Sequence, residues 1–149
     1  MRVTSDITND ITDEITDELL SEKLRGVGLR ATRPRLDLVR LLFTGENRHL
    51  TAESLHEEVQ QAGHKMSLAT IYNSLHQFTE AGLLRQVVVD STRSYFDTNT
   101  SDHHHFFISD ESRLIDIPSE KVSVSDLPDV PAGLNISGVD VIIRLHKNS

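Results

Sequence analysis

The sequence predicts an α+β protein built from two small domains, and three observations predict it. Helix-period apolar patterns with capping residues fill the chain between residues 24 and 82. Two strand-like segments joined by a polar turn follow directly. Beyond residue 102, short apolar strands alternate with proline-containing loops. We therefore expect a first domain over 19–98 and a second over 99–149, with an acidic flexible extension over 1–18 before them.

Composition narrows the possible functions. Hydrophobic residues make up 37% and charged residues 26% of the 149 positions, which indicates a packed core. The chain has no cysteine, so disulfides, thiolate metal sites and a cysteine nucleophile are excluded and any metal must be held by His, Asp or Glu. No apolar run approaches the ~20 residues that span a bilayer, and the first residues do not resemble a signal peptide. We expect a cytoplasmic protein without a membrane partner.

Charge is distributed unevenly. The net charge is -8, yet residues 25–85 carry eight bases and six acids, whereas 1–24 carry seven acids and two bases and 86–149 carry ten acids and five bases. The middle third is thus the part suited to a polyanion. The near-repeat DITNDITDEITDE lies in the acidic first segment, and its threonines favour a flexible extension over a helix.

Three helices are predicted by their caps and apolar stripes. Each begins after a Ser or Thr that can accept a hydrogen bond from the first turn, and each ends before a glycine. These N-cap residues are Thr32, Thr51 and Ser67. The buried stripe of the third helix contains Leu68, Ile71, Leu75 and Phe78.

Two strands follow the helices. LLRQVVV (83–89) and RSYFDT (93–98) are rich in β-branched and aromatic residues, and the turn DST joins them into a hairpin. Three helices followed by a hairpin is the plan of a winged helix, in which the third helix enters the major groove of DNA. A generic α+β scaffold without a DNA role is the alternative.

Two features favour double-stranded DNA as the partner. The third helix presents polar side chains and has no acid before Glu80, as expected of a helix that approaches phosphates. Arginines precede the first of the three helices and recur in the hairpin, where they can flank a groove. The candidate DNA-binding residues are Arg30, Arg33, Arg35, Thr70, Tyr72, Asn73 and Arg93.

The second domain is too small to bury a core by itself. HHHFFIS, RLIDI and VDVIIRL are predicted strands, and the last is almost entirely apolar. Since about fifty residues make a marginal core, we expect a small α/β dimerisation domain in a homodimer. A homodimer also presents two recognition helices to a pseudo-palindromic operator.

The run HHHFF is the most unusual stretch of the chain. On a strand, side chains alternate, so His103 and His105 share one face and His104 lies on the other. Two imidazoles two residues apart form a ligand pair. Exposed histidines without a ligand are the alternative.

These segments resemble the ferric uptake regulator (Fur) superfamily. The resemblance rests on LRATRPRLDLVRLL, RHLTAESLHEEV, SLATIYNSLHQFTEAGLL and the triple histidine, and it covers about residues 24–146. Within the superfamily, AGLLRQVVVDSTRSYFDTN and HHHFF look most like the iron response regulators (Irr). The resemblance implies a dimeric winged-helix transcription regulator that is active when iron is scarce and responds to haem.

The resemblance also implies roles for individual residues. Tyr72 matches a residue that contacts thymine and phosphate, helped by Thr70 and Asn73, while Arg30 and Arg35 match groove and backbone contacts. His49, Asp97 and His104 match three ligands of an inter-domain metal site whose fourth position is Phe106 here. A second metal site of the superfamily is matched at three ligand positions, His103, His105 and Glu120. The last histidine ligand of that site is missing from this chain.

These departures favour haem over a bare ion. Each matched metal site has lost one ligand, whereas haem iron needs only one or two axial imidazoles. Phe106 and Phe107 can cover the ring, so we expect haem to bind at His103, His104, His105 and Phe106. Haem bound beside the presumed hinge over 98–102 is then expected to release the operator. The Cys-Pro haem motif of some Irr proteins is absent.

Three other functions stay open. One is a sensor of Zn²⁺, Mn²⁺ or Fe²⁺ that uses His49, Asp97, His104 and a water. Another is a His/Asp metalloenzyme, although no HExxH, GxSxG or P-loop pattern occurs and no general base is paired with the histidines. The last is a haem or metal storage module. We do not expect an enzyme.

Overall fold

The computed structural model describes residues 17–148, which fall into two compact units divided between Thr100 and Ser101. Each unit has its own sheet. The first carries the helices and a three-stranded sheet, and the second carries another three-stranded sheet. None of the helices described is long and apolar enough to cross a membrane.

Four helices occur in the described part of the first unit. The helical residues 17–26 form α1, and the other three helices begin directly after the predicted caps. Their bounds are α2 Arg33–Phe43, α3 Ala52–Gln61 and α4 Leu68–Glu80. The hydroxyls of Thr32, Thr51 and Ser67 each accept a hydrogen bond from a backbone N–H of the first turn, at 3.4, 3.1 and 3.1 Å. The three predicted N-caps are confirmed.

The sheet of the first unit has three strands, one more than the predicted hairpin. They are β1 His49–Leu50, β2 Arg85–Val88 and β3 Ser94–Asp97. β3 lies in the centre and pairs antiparallel with both neighbours. β2 and β3 form the predicted hairpin, and their turn is closed by the side chain of Asp90, which accepts from the backbone N–H groups of Thr92 and Arg93.

The core of the first unit lies between the helices and this sheet. Fully buried side chains from α2, α3 and α4 meet there, among them Leu38, Leu55 and Phe78. The stripe predicted for α4 is buried at Ile71, Leu75 and Phe78 and partly buried at Leu68.

Two elements of the first unit differ from the sequence prediction. The expected extension over 1–18 was wrong in its last two residues, which belong to α1; the rest lies outside the described residues. Leu20 and Leu24 of α1 are buried in the core, so α1 is part of the folded unit. β1 was not predicted because two residues show no periodicity, and only pairing with β3 makes them a strand.

The second unit contains the three strands that the sequence predicts. They are β4 His103–Ile108, β5 Arg113–Pro118 and β6 Ile142–Leu145, in the order β5-β4-β6. β4 runs antiparallel to β5 and parallel to β6. Helical structure in the described part of this unit amounts to one 3₁₀ turn, Ser119–Lys121.

Candidate cation and nucleic-acid sites

The triple histidine lies on the central strand of the second unit, and its side chains alternate as predicted. His103, His105 and Phe107 are 4%, 3% and 0% exposed, whereas His104 and Phe106 are only partly buried. Because the pleat sends successive side chains to opposite faces, the phenylalanine pair is divided. One phenyl ring accompanies His103 and His105, and the other accompanies His104.

Asp116 of β5 joins His103 and His105. It lies opposite His105 in the antiparallel register. Its Oδ1 atom is 3.4 Å from Nε2 of His103 and 3.4 Å from Nε2 of His105, and the two imidazole centroids are 4.5 Å apart. These spacings exceed the usual length of a charge-assisted hydrogen bond. They match the ~3.4 Å that separates two ligand atoms placed tetrahedrally at ~2.1 Å from a metal ion.

A backbone carbonyl determines the tautomer of His103. Nδ1 of His103 is 2.6 Å from the carbonyl oxygen of Ser101. A carbonyl can only accept, so Nδ1 is the donor and the neutral imidazole has its lone pair on Nε2, the atom nearest Asp116. Histidines that bind metal are oriented by such a hydrogen bond from the other ring nitrogen. The residues of this cluster therefore fit a divalent cation held by two nitrogens and one oxygen.

His104 and Glu120 do not join the cluster. Nδ1 of His104 accepts a hydrogen bond from the backbone N–H of Val141 at 3.1 Å, on the opposite face of β4. Glu120 is exposed in the 3₁₀ turn that follows β5. In the described part of the second unit, the converging ligand atoms are those of His103, His105 and Asp116.

The first unit has a His–Asp pair of its own. His49 and Asp97 face each other in the register of β1 and β3. Nε2 of His49 is 3.1 Å from Oδ2 of Asp97, whose side chain is 1% exposed. The other carboxylate oxygen accepts from the backbone N–H of Asn99 at 2.9 Å. The pair thus presents one nitrogen and one oxygen in a largely desolvated setting.

The outer face of α4 carries the residues predicted to contact DNA. Thr70, Tyr72 and Asn73 are exposed, and the first turn holds no acid. The hydroxyl of Thr70 accepts a hydrogen bond from Ser67 at 3.0 Å, so it is held at the helix N-terminus. The Tyr72 hydroxyl donates to Oε1 of Glu53 at 2.7 Å. This hydrogen bond raises the pKa of Tyr72 and lowers the pKa of Glu53.

The three arginines around the start of α2 have different partners. Arg30 is exposed and its carbonyl accepts from the Arg35 guanidinium at 3.1 Å. The same guanidinium donates to Oε1 of Gln77 at 3.2 Å, which ties the segment before α2 to α4. The guanidinium of Arg33 forms two ion pairs, with Nη1 3.6 Å from Oδ1 of Asp37 and Nη2 3.9 Å from Oδ2 of Asp17. Arg35 is therefore placed to position α4, while Arg30 keeps its side chain on the surface.

Arg93 lies at the tip of the β2–β3 hairpin. Its Nε and one terminal nitrogen donate to Oδ2 of Asp90 at 3.0 and 2.8 Å. The backbone N–H of Thr92, the Thr92 hydroxyl and Arg93 together hold the pKa of Asp90 well below its usual range. The Arg93 guanidinium is thus oriented by the turn that it follows.

Two residues of these sites were not singled out from the sequence. Asp116 becomes recognisable once RLIDIP is paired antiparallel with HHHFFI, because the alternation then places it with His103 and His105. Glu53 lies in the first turn of α3, where an acid is expected simply for the helix dipole. Its contact with Tyr72 depends on how α3 and α4 pack.

Comparison with known proteins identifies the family. The model of the ferric uptake regulator family matches residues 26–140. The ferric uptake regulation protein of Pseudomonas aeruginosa is 32% identical over 103 residues, which are 68% of this chain and 77% of that protein.

Solved structures agree in fold. The structure of the ferric uptake regulator from Pseudomonas aeruginosa with manganese has a TM-score of 0.66 at 24% identity and covers 87% of this chain and 98% of its own. The regulator from Francisella tularensis with iron has a TM-score of 0.65 at 17% identity, covering 80% and 92%. At these identities the likeness establishes the fold, an N-terminal winged-helix unit followed by a second small unit.

Proposed function

Because the chain belongs to the ferric uptake regulator family of metal-responsive transcriptional regulators, we propose that its first unit binds operator DNA and its second unit holds the regulatory cation. Members of the family are regulators and not enzymes. The geometry supports a divalent-cation sensor best, and the observation that carries this proposal is the convergence of His103, His105 and Asp116 at 3.4 Å.

The ligand set indicates which ions suit the site. Two imidazole nitrogens and one carboxylate oxygen, without a thiolate, suit Zn²⁺, Fe²⁺ and Mn²⁺. His103 is already in the tautomer that points Nε2 at the cluster, because Ser101 accepts from Nδ1. A bound cation would offset the carboxylate charge and fix β4 against β5. His49 and Asp97 offer the same donor chemistry in the first unit.

DNA binding is supported by the surface of the winged helix. The exposed face of α4 has polar residues and its first turn contributes no acid, as expected of a helix that approaches phosphates, while the neighbouring carboxylate of Glu53 accepts a hydrogen bond from Tyr72. Arg30 at one side and Arg93 in the hairpin are cations that can flank a groove. The candidate contacts are Arg30, Arg33, Arg35, Thr70, Tyr72, Asn73 and Arg93.

The second unit supports a homodimer. Many large apolar side chains of its described residues are exposed, and such surfaces in soluble proteins are commonly covered by a partner. A second copy would cover them and pair two α4 helices. These side chains are Ile115, Val124, Leu127, Val130, Leu134, Ile136, Val139, Ile143 and Leu145.

Haem is a second candidate ligand, favoured by the resemblance to Irr and by the partly exposed face that His104 shares with Phe106. The hydrogen bond that His104 makes would have to change for haem to bind there. Since His104 accepts at Nδ1 from Val141, its neutral ring has the proton on Nε2. Coordination through Nε2 therefore requires a change of tautomer and loss of that hydrogen bond.

One experiment separates the two ligands. Purified full-length protein is mixed with a pool of randomised duplex DNA, and affinity for the recovered duplex is measured by anisotropy with MnCl₂, with EDTA and with ferric haem. The cation proposal predicts that Mn²⁺ raises affinity about tenfold or more over EDTA, a typical allosteric coupling. Under the haem proposal, the metal-free protein binds tightly and haem releases the DNA. Equal affinity in all three conditions would overturn both.

The matched variants assign the site. We expect His103→Ala with His105→Ala to remove the response to Mn²⁺, because two of the three ligands are lost. His104→Ala is the control, since its imidazole lies on the opposite face of β4. A haem response lost in His104→Ala but kept in the double variant would instead assign haem to that face.

A further inference from the structure

A carboxylate of the chain itself lies against the arginines at the start of the candidate DNA surface. Asp17, at the start of α1, places Oδ1 2.8 Å from Nη2 of Arg40 and Oδ2 3.9 Å from Nη2 of Arg33. Arg33 is a candidate DNA contact, and its side chain is 65% exposed. Guanidinium groups bind carboxylates and phosphates in the same planar geometry. Asp17 therefore occupies a position beside Arg33 that suits a DNA phosphate.

The surface around Arg33 continues to the start of α4. Asp37 of α2 connects the two, with Oδ1 3.6 Å from Nη1 of Arg33 and Oδ2 3.5 Å from Nδ1 of His64 in the turn between α3 and α4. Lys65 is the next residue and is exposed, and α4 begins at Leu68. A polyanion bound along Arg33, His64 and Lys65 would therefore block the approach of DNA to α4.

The residues before Asp17 carry the charge that such a polyanion needs. Residues 1–16 contain one base, Arg2, and four acids, at positions 6, 10, 13 and 14. They lie outside the described residues, but their point of attachment is described, because Asp17 contacts Arg33 and Arg40. This length of chain spans up to about 50 Å when extended, whereas a compact unit of this size is about 30 Å across. The acids can therefore reach the surface that leads to α4.

Given the DNA-binding function proposed above, we propose that residues 1–16 bind the surface of Arg33, His64 and Lys65 and compete there with DNA. The segment is tethered at Asp17, so its binding is intramolecular and needs little affinity of its own. A tethered competitor lowers the affinity for every duplex by the same factor. Sequences that bind weakly are then the first to be left unoccupied, and the acidic segment limits binding to sites other than the operator.

Two variants of the full chain with the same change in charge test the competition. Each neutralises four carboxylates, either on the segment or at exposed positions elsewhere. The segment variant carries Asp6→Asn, Asp10→Asn, Asp13→Asn and Glu14→Gln. The control variant carries Glu46→Gln, Glu120→Gln, Asp126→Asn and Asp129→Asn. Wild type with MnCl₂ selects a duplex from a randomised pool, and anisotropy measures the affinity of all three proteins for that duplex.

The segment variant should bind the duplex about fivefold more tightly than wild type in about 50 mM NaCl, the scale of a few exposed ion pairs. The control variant should stay within about twofold of wild type, because its acids do not compete for the surface. The difference between the two variants should shrink in about 300 mM NaCl, since salt screens exposed charges. If the two variants bind equally well at the lower salt concentration, the segment does not compete with DNA.

A spin label reports the contact in the absence of DNA. The chain has no cysteine, so Thr4→Cys provides a single site for a nitroxide. The label should broaden the amide signals of Lys65 and Ser67, and neutralising the four acids of the segment should remove most of this broadening. Signals that stay sharp, or broadening that persists in the neutralised segment, would overturn the proposed contact. If wild type selects no duplex, the DNA-binding function fails and the competition with it, while broadening would still show that the segment binds this surface.

Discussion

At the scale of the residue, the cation cluster depends on the alternation of one strand and the register of the next. The sequence predicted that His103 and His105 share a face, and the structure confirms it. Asp116 could not be chosen from the sequence alone, because RLIDIP carries no sign of its offset against HHHFFI. A shift of one residue would bring Ile115 or Ile117 to the histidines instead.

Asp116 provides the clearest single-residue prediction for the cluster. Asp116→Asn removes the negative oxygen that lies 3.4 Å from both Nε2 atoms, so we expect affinity for Zn²⁺ to fall at least about tenfold, the lower end for loss of a group that supports a metal site. Competition with a chromophoric chelator measures this affinity. Asp129→Asn, an exposed acid of the same unit, is the control, and equal affinities in the two variants would remove Asp116 from the site.

Asp90 predicts a pH dependence of stability. The hydrogen bonds from Thr92 and Arg93 hold the folded pKa of Asp90 below the ~3.9 expected in the unfolded chain. Ionised Asp90 therefore stabilises the fold fully above that value, and its contribution is lost as the pH falls through the lower folded pKa.

We expect Asp90→Asn to lower Tm at pH 7. The difference from wild type should begin to shrink as the pH falls below about 4, where the carboxyl of the unfolded chain protonates, and should shrink further as the folded carboxyl protonates at lower pH. Thermal unfolding followed by circular dichroism checks this. Glu46→Gln, an exposed acid of the same unit, should leave Tm at pH 7 nearly unchanged. A difference that persists undiminished at the lowest pH would show that Asp90 acts other than through its charge.

At the scale of the element, prediction succeeded where a local signal determines the structure. Thr32, Thr51 and Ser67 cap helices because their hydroxyls satisfy N–H groups of the next turn, which sequence spacing alone reveals. Prediction failed for α1 because the threonine-rich residues before it favoured a flexible segment. The helix is stabilised by burial of Leu20 and Leu24 in the core, which the local sequence does not show. Prediction also failed for β1 because the strand exists only through its partner β3.

The cap of α4 gives a prediction at this scale. Ser67→Ala leaves the N–H of Thr70 without its acceptor, so the free energy of unfolding should fall by about 1 kcal/mol. Urea unfolding, monitored by the helical signal in circular dichroism, measures the change in this free energy. Ser91→Ala, an exposed serine of the hairpin turn, should change it by much less, and equal effects would show that the cap does not stabilise α4.

At the scale of the whole molecule, the two units divide the chemistry between them. The first unit presents polar and basic groups around α4, and the second holds the candidate cation ligands His103, His105 and Asp116 and most of the exposed large apolar side chains among the described residues. The sequence indicated this division through its charge distribution and the change from helical to strand periodicity. It did not indicate which ligand the histidines take, because Phe106 and Phe107 look like one aromatic pair until the pleat separates them.

Self-association is the prediction that belongs to this scale. Leu134 is 62% exposed in the second unit, and a carboxylate there would be buried without a partner in a homodimer. Leu134→Asp should therefore shift the protein from dimer to monomer in sedimentation velocity. Val88→Asp makes the same change at a 59% exposed position in β2 and should remain dimeric. A dimeric Leu134→Asp would exclude this surface from the interface.

The most direct test of the account is the visible spectrum of the protein titrated with Co²⁺, which reports nitrogen and oxygen ligands and a low coordination number. Wild type and His104→Ala should develop the same absorption bands with the same affinity. His103→Ala with His105→Ala should lose them. Bands that survive the double variant and vanish in His104→Ala would contradict the assignment of the cation to the buried face of β4.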